Sequence, residues 1–210
     1  MRMPFASFFT LRPSSFHFQN PATIGAVAVA LSIGKGDING TTNRNITFIG
    51  QPSIVVPPGA MVVSDPIDFK LPPLANLSVS IFIPLQRMPD VTIHPNANQT
   101  NYVVHGNETG YLHLTSAEEI YSWPFLKGVE VDAAPKAGTV IAFGDSITDG
   151  AHSTRDANLR RPDVLAKRLN ADKGAAKLGV LNEGISGNRI LHDRSGQNAL
   201  ARLDSSLSQM

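Results

Sequence analysis

The residues best suited to chemistry in this sequence are Gly144-Asp145-Ser146-Ile147-Thr148-Asp149-Gly150, which follow the apolar run Thr139-Val140-Ile141-Ala142-Phe143. A run of β-branched and aromatic residues with no interrupting charge reads as a buried strand of a parallel sheet. In open α/β sheets, chemistry collects beyond the carboxyl ends of such strands. Ser146, between an acidic residue and a turn, is placed to be a nucleophile there. Its own N–H and the start of the next helix can both face a developing oxyanion. Asp-Ser is also an ordinary N-cap and turn pair, because both side chains bond nearby backbone N–H groups. A Gly-x-Ser-x-Gly elbow is absent, since Thr148 stands where that motif needs glycine. No Gly-Lys-Ser or Gly-Lys-Thr occurs either, which excludes a phosphate loop.

A second glycine segment lies downstream. Leu178-Gly179-Val180-Leu181 reads as the next parallel strand, and Asn182-Glu183-Gly184-Ile185-Ser186-Gly187-Asn188 as the loop beside the first strand end. Gly184 and Gly187 permit a close backbone approach, so the segment is either an ordinary glycine loop or one that presents an N–H to a bound oxygen atom.

Together the two segments resemble the first and second blocks of the SGNH, or GDSL, hydrolases. The resemblance implies an α/β three-layer, flavodoxin-like catalytic domain. It implies a serine esterase that hydrolyses a carboxylic ester through an acyl-serine intermediate, with Ser146 attacking and Gly187 donating to the oxyanion. It implies no metal and no organic cofactor. The family's remaining parts are an asparagine in a Gly-x-Asn-Asp segment and a late Asp-x-x-His that supplies the base. Neither follows Gly187 in these 210 residues. The expectation is therefore the front portion of an esterase, incomplete as an α/β domain, with a third strand beyond Met210 and little activity from this chain. Asp149-Gly150-Ala151-His152 has the Asp-x-x-His spacing by chance of sequence, but a residue six positions past the nucleophile must fold back to reach it. His152 thus reads as a loop residue, and His192 is not promoted on spacing either.

These segments need elements to carry them. Arg161-Pro162-Asp163 opens a helix, with Pro162 suited to its start and Asp163 to its positive end. Val164, Leu165 and Leu169 form the apolar face, with Lys167 and Arg168 outside. Many members of the resembled family carry an aromatic residue where Arg161 stands. Gln197 to Leu207 gives a last helix, with Leu200, Leu203 and Leu207 on its buried side.

Before residue 133 the pattern changes to short, β-branched runs: Thr23 to Leu31, Asn45 to Ile49, Ser53 to Val56, Ala60 to Ser64, Leu77 to Ile83 and Thr100 to Val104. Pro57-Pro58-Gly59, Pro72-Pro73 and Asn96-Ala97-Asn98 separate them as turns. This spacing predicts an antiparallel sandwich or jelly roll, with Leu77, Val79, Ile81 and Ile83 on one face. Some SGNH hydrolases carry such a β-rich module in front, and Thr23 to Ser32 with Pro57 to Leu71 resembles it. The predicted organisation is a divergent start over 1–21, a β-sandwich module over 22–132, a linker over 133–138 and the hydrolase segment over 139–210. His17, His94, His105 and His113 lack metal-site spacing. Trp123-Pro124-Phe125 reads as packing, with sugar stacking as the alternative.

Composition bounds the rest. Of the residues, 42% are hydrophobic, enough for a sizeable core, and the net charge of +1 gives no electrostatic reason to expect nucleic acid as a partner. There is no cysteine, hence no disulfide framework or thiol nucleophile. No apolar run reaches the ~20 residues that span a bilayer, so stable membrane insertion is not expected. The start, Met1 to Leu11, resembles a signal peptide only in part, being interrupted by Pro4 and without a small-x-small site. Asn39-Gly40-Thr41, Asn45-Ile46-Thr47, Asn76-Leu77-Ser78, Asn98-Gln99-Thr100 and Asn107-Glu108-Thr109 fit the glycosylation pattern, which points to a secreted, extracellular protein. The expected partner is a small ester, of a carbohydrate or a lipid. The rival reading is a glycan-binding or pseudoenzyme module without catalysis.

Overall fold

The computed structural model describes residues 6–11, 21–88, 93–133, 137–175 and 177–207, with backbone alone for 6–11 and 205–207. The chain divides into two compact units, Met1–Asp132 and Ala133–Met210. The segment 134–136, where the sequence predicts a linker, lies outside the described residues.

All regular strands of the first unit pair antiparallel. Strand Ala26–Gly34 pairs with Leu77–Phe82, Asp37–Ile38 and Arg44–Ile46. Ala22–Ile24 pairs with Ile54–Val56. The single run expected over Thr23 to Leu31 is thus broken at Gly25, whose N–H donates to the Phe82 carbonyl at 2.9 Å. In the register, Leu77, Val79 and Ile81 stand opposite Leu31, Val29 and Val27, and all three pack on the core with Ile83 as expected. That core is Ile24, Val27, Val29, Ile46, Phe48, Val56 and Phe69. Val62, Ile67, Leu126 and Val129 also pack on it. They come from strands Val62–Val63, Ile67–Asp68 and Leu126–Val131.

The start of the chain differs from expectation. Ala6–Leu11, within the divergent start expected over 1–21, forms a strand that pairs with Leu126–Val131, Val62–Val63 and Ile67–Asp68. Its signal is weak locally because its partners lie far along the chain, where only tertiary closure supplies them. Trp123–Pro124 pairs with Ile93–His94, and the Trp123 and His94 rings lie 6.3 Å apart, a packing arrangement.

The second unit is built on two parallel strands, Gly138–Gly144 and Leu178–Gly184, in register from Gly138 opposite Leu178 to Gly144 opposite Gly184. Between them come α1 (Ser146–Asp149) and α2 (Arg161–Ala171), and after them α3 (Ala199–Leu207). Helix α2 starts where the sequence puts it. The Arg160 backbone N–H donates to Asp163 Oδ2 at 3.0 Å, and its guanidinium grips the same carboxylate at 2.7 and 3.1 Å. Leu165 and Leu169 are half-buried, but Val164 is exposed.

Helix α3 corrects the expectation of an apolar buried side. Leu200 is 65% and Leu203 39% exposed, whereas Arg202 is 5% exposed; the Leu207 side chain lies outside the described residues. Periodicity finds a stripe of leucines but not which face of the helix meets the sheet. Here that face is decided by hydrogen bonds to Arg202. Among the described residues no helix is long and apolar enough to cross a membrane.

Candidate active site

Strand Gly138–Gly144 delivers Ser146 to the first position of α1, where the backbone N–H has no acceptor within the helix. Asp145 is the N-cap: its Oδ1 accepts from the Ile147 N–H at 3.0 Å. The helix lasts one turn and closes on Gly150, whose N–H donates to the Ser146 carbonyl at 3.0 Å. The turn-and-cap reading of Asp-Ser therefore holds for Asp145, and it leaves the half-buried Ser146 hydroxyl free of that task.

The second segment leaves its strand at the same end of the sheet. The Ile185 N–H donates to the Gly144 carbonyl at 3.1 Å, which extends the pairing one residue past Gly184. Gly184 is required by close approach, because a Cβ there would collide with the backbone N and Cα of Asp149. The backbone of α1 thus lies directly on the second strand. Gly187 is exposed and has φ +72°, in the left-handed region that favours glycine.

Four residues that sequence reasoning missed tie these segments together. Asp149 is 5% exposed, and Ser186 Oγ donates to its Oδ2 at 2.9 Å. Asn188 Oδ1 accepts from Arg202 Nε at 3.2 Å and Nη2 at 3.0 Å, while Asn188 Nδ2 donates to the Gln197 carbonyl at 2.7 Å. Arg202 also donates from Nη1 to the Glu183 carbonyl at 2.9 Å and from Nη2 to the Gly144 carbonyl at 3.1 Å. Its guanidinium lies 4.0 Å over the Phe143 ring and 3.7 Å from Glu183 Oε2. Burial lowers its pKa and the Glu183 carboxylate partly restores it, so it stays cationic at neutral pH. A charge in a leucine-striped helix carries no local sign of burial.

Phe143, Gly144, Asp145, Asn188, Arg189, Ile190, Ala199, Leu200 and Leu203 line an open cleft of about 550 Å³. Its walls are mainly apolar, which suits an uncharged substrate better than an ionic one. His152 is exposed with φ +63°, and His192 is exposed in the loop after Asn188. Among the described residues neither imidazole is hydrogen-bonded to Ser146, and no cluster of histidine and carboxylate side chains could hold a metal ion.

Residues 140–209 match the family described as GDSL-like Lipase/Acylhydrolase. No curated protein matches the chain.

Proposed function

We propose that residues 140–209, which match the GDSL-like Lipase/Acylhydrolase family, form the front of an esterase-type hydrolase with a flavodoxin-like α/β fold, and that Ser146 is its nucleophile. The reaction is attack of Ser146 Oγ on an ester carbonyl, expulsion of the alcohol and hydrolysis of the acyl-serine by water. The Ser146 and Gly187 N–H groups serve as oxyanion donors. The observation that carries this reading is the registered strand pair, which brings the nucleophile turn and the Gly187 loop to one end of the sheet.

A serine without a positioned base reacts slowly, since removing a triad base costs several orders of magnitude in rate. On this proposal the described residues alone turn over a short acyl ester weakly, because neither imidazole of His152 and His192 is bonded to Ser146 among them. The antiparallel unit before it is, on this proposal, a jelly-roll-like sandwich module. The protein is secreted and glycosylated, with Asn45, Asn76 and Asn107 exposed and Asn39 and Asn98 half-buried. Endoglycosidase treatment of secreted material should lower its mass; no change would count against secretion with these sites occupied.

The test of the nucleophile is covalent labelling by a fluorophosphonate, with the modified residue found by mass spectrometry. Labelling at Ser146, lost in Ser146→Ala with the fold intact, is the expected result. No labelling, together with polysaccharide binding that survives Ser146→Ala, would favour the binding module over the esterase.

A further inference from the structure

We propose that Asp149 and Arg202 are positioning residues that clamp Gly187 through its two chain neighbours and so fix the direction of its N–H. The proposal rests on the serine-esterase reading for its catalytic consequence, but the clamp itself is a matter of geometry. Gly187 is exposed, and an exposed glycine with no side chain has nothing of its own to hold it. Each neighbour, however, is tied down. Ser186 is bonded to the buried Asp149 carboxylate, three residues past the nucleophile. Asn188 is bonded twice to Arg202 and once to the Gln197 carbonyl, and its N–H donates to the Ile185 carbonyl at 2.9 Å.

Arg202 is the stronger arm because of what else it holds. The same guanidinium reaches the carbonyls of Gly144 and Glu183, at the ends of the two parallel strands. Asn188 is thereby referred directly to the strand that delivers Ser146. The planar fork is needed for this, since lysine carries the charge but cannot span three acceptors in fixed directions. With Ser186 and Asn188 fixed, the only soft torsions left to the Gly187 peptide are those next to the glycine. An oxyanion donor has to be aimed before the charge develops, and a misplacement of about 1 Å can cost ~100-fold in rate.

The experiment compares the wild-type chain with Arg202→Lys and, as a milder cut of the other arm, Ser186→Ala. It measures the fluorophosphonate labelling rate at Ser146 as a function of probe concentration, and amide hydrogen exchange residue by residue. Each variant should lower the maximal labelling rate roughly 10- to 100-fold while leaving the half-saturating probe concentration unchanged. Exchange should rise at Asn188, whose N–H donates to the Ile185 carbonyl, but not along Gly138–Gly144. Wild-type rate and exchange in Arg202→Lys would overturn the fork argument, and unchanged exchange at Asn188 in both variants would overturn the clamp. If the wild-type chain labels no faster than Ser146→Ala, the esterase reading fails alone, and the exchange data still decide the clamp.

Discussion

The two units are ordered by different forces. Every buried hydrophobic residue of the core lies between Ala22 and Ala97 among the described residues, with Phe48, Ile24, Ile46, Val29 and Val56 the largest. The second unit buries Asp149, Gly150, Pro162, Gly184 and Arg202, and exposes Ile190, Leu191 and Leu200. The first is held by apolar packing, which is strong and tolerant of direction. The second is held by hydrogen bonds and backbone contact, which are weaker in sum but fix particular groups in particular directions.

The comparison breaks most readily at its strongest point. Phe48→Ala should cost about 3–5 kcal/mol, because it deletes a fully buried ring. Amide exchange should show the loss across the strands of Met1–Asp132, with Gly138–Gly144 still protected. Loss of protection in both units together would show that the division into two forces is also a single cooperative fold. Gly184→Ala should cost roughly 3 kcal/mol or more, since its Cβ meets the backbone of Asp149, which cannot yield as a side chain can. Exchange in the second unit and loss of Ser146 labelling would report it.

Smaller effects sharpen the contrast. Asp163→Ala should destabilise α2 by about 1 kcal/mol through the lost capping bonds to Arg160, seen as faster exchange in its first turn. In the first unit, Asp65 provides a polar counterexample. Its carboxylate accepts from Thr47 Oγ1 at 2.6 Å and from the Gly50 and Ile49 N–H groups at 2.7 and 2.9 Å. The Thr47 hydroxyl first, then the Gly50 N–H, hold its pKa below the ordinary carboxylate value. A depressed carboxylate contributes stability above its unfolded pKa and loses it as pH falls through the folded value. Protection of the Ile49 and Gly50 amides, taken relative to intrinsic exchange at each pH, should therefore fall as pH drops below the ordinary carboxylate range, and Asp65→Asn should remove that dependence.

Much of this was legible in the sequence because it is local. The Gly144 to Gly150 turn, the Arg161-Pro162-Asp163 helix start and the face shared by Leu77, Val79, Ile81 and Ile83 follow from spacing and side-chain type within a few residues. Family resemblance in residues 140–209 was legible for the same reason, since its two blocks are short and contiguous. Tertiary structure alone decided that Ala6–Leu11 finds partners at Leu126–Val131, that α3 turns Arg202 rather than its leucines inward, and that Asp149 reaches Ser186. Hydrogen bonds between residues remote in sequence leave no periodicity to read. Only when the strands stand in register do the acceptors that Arg202 needs, Gly144, Glu183 and Asn188, come within reach of one guanidinium.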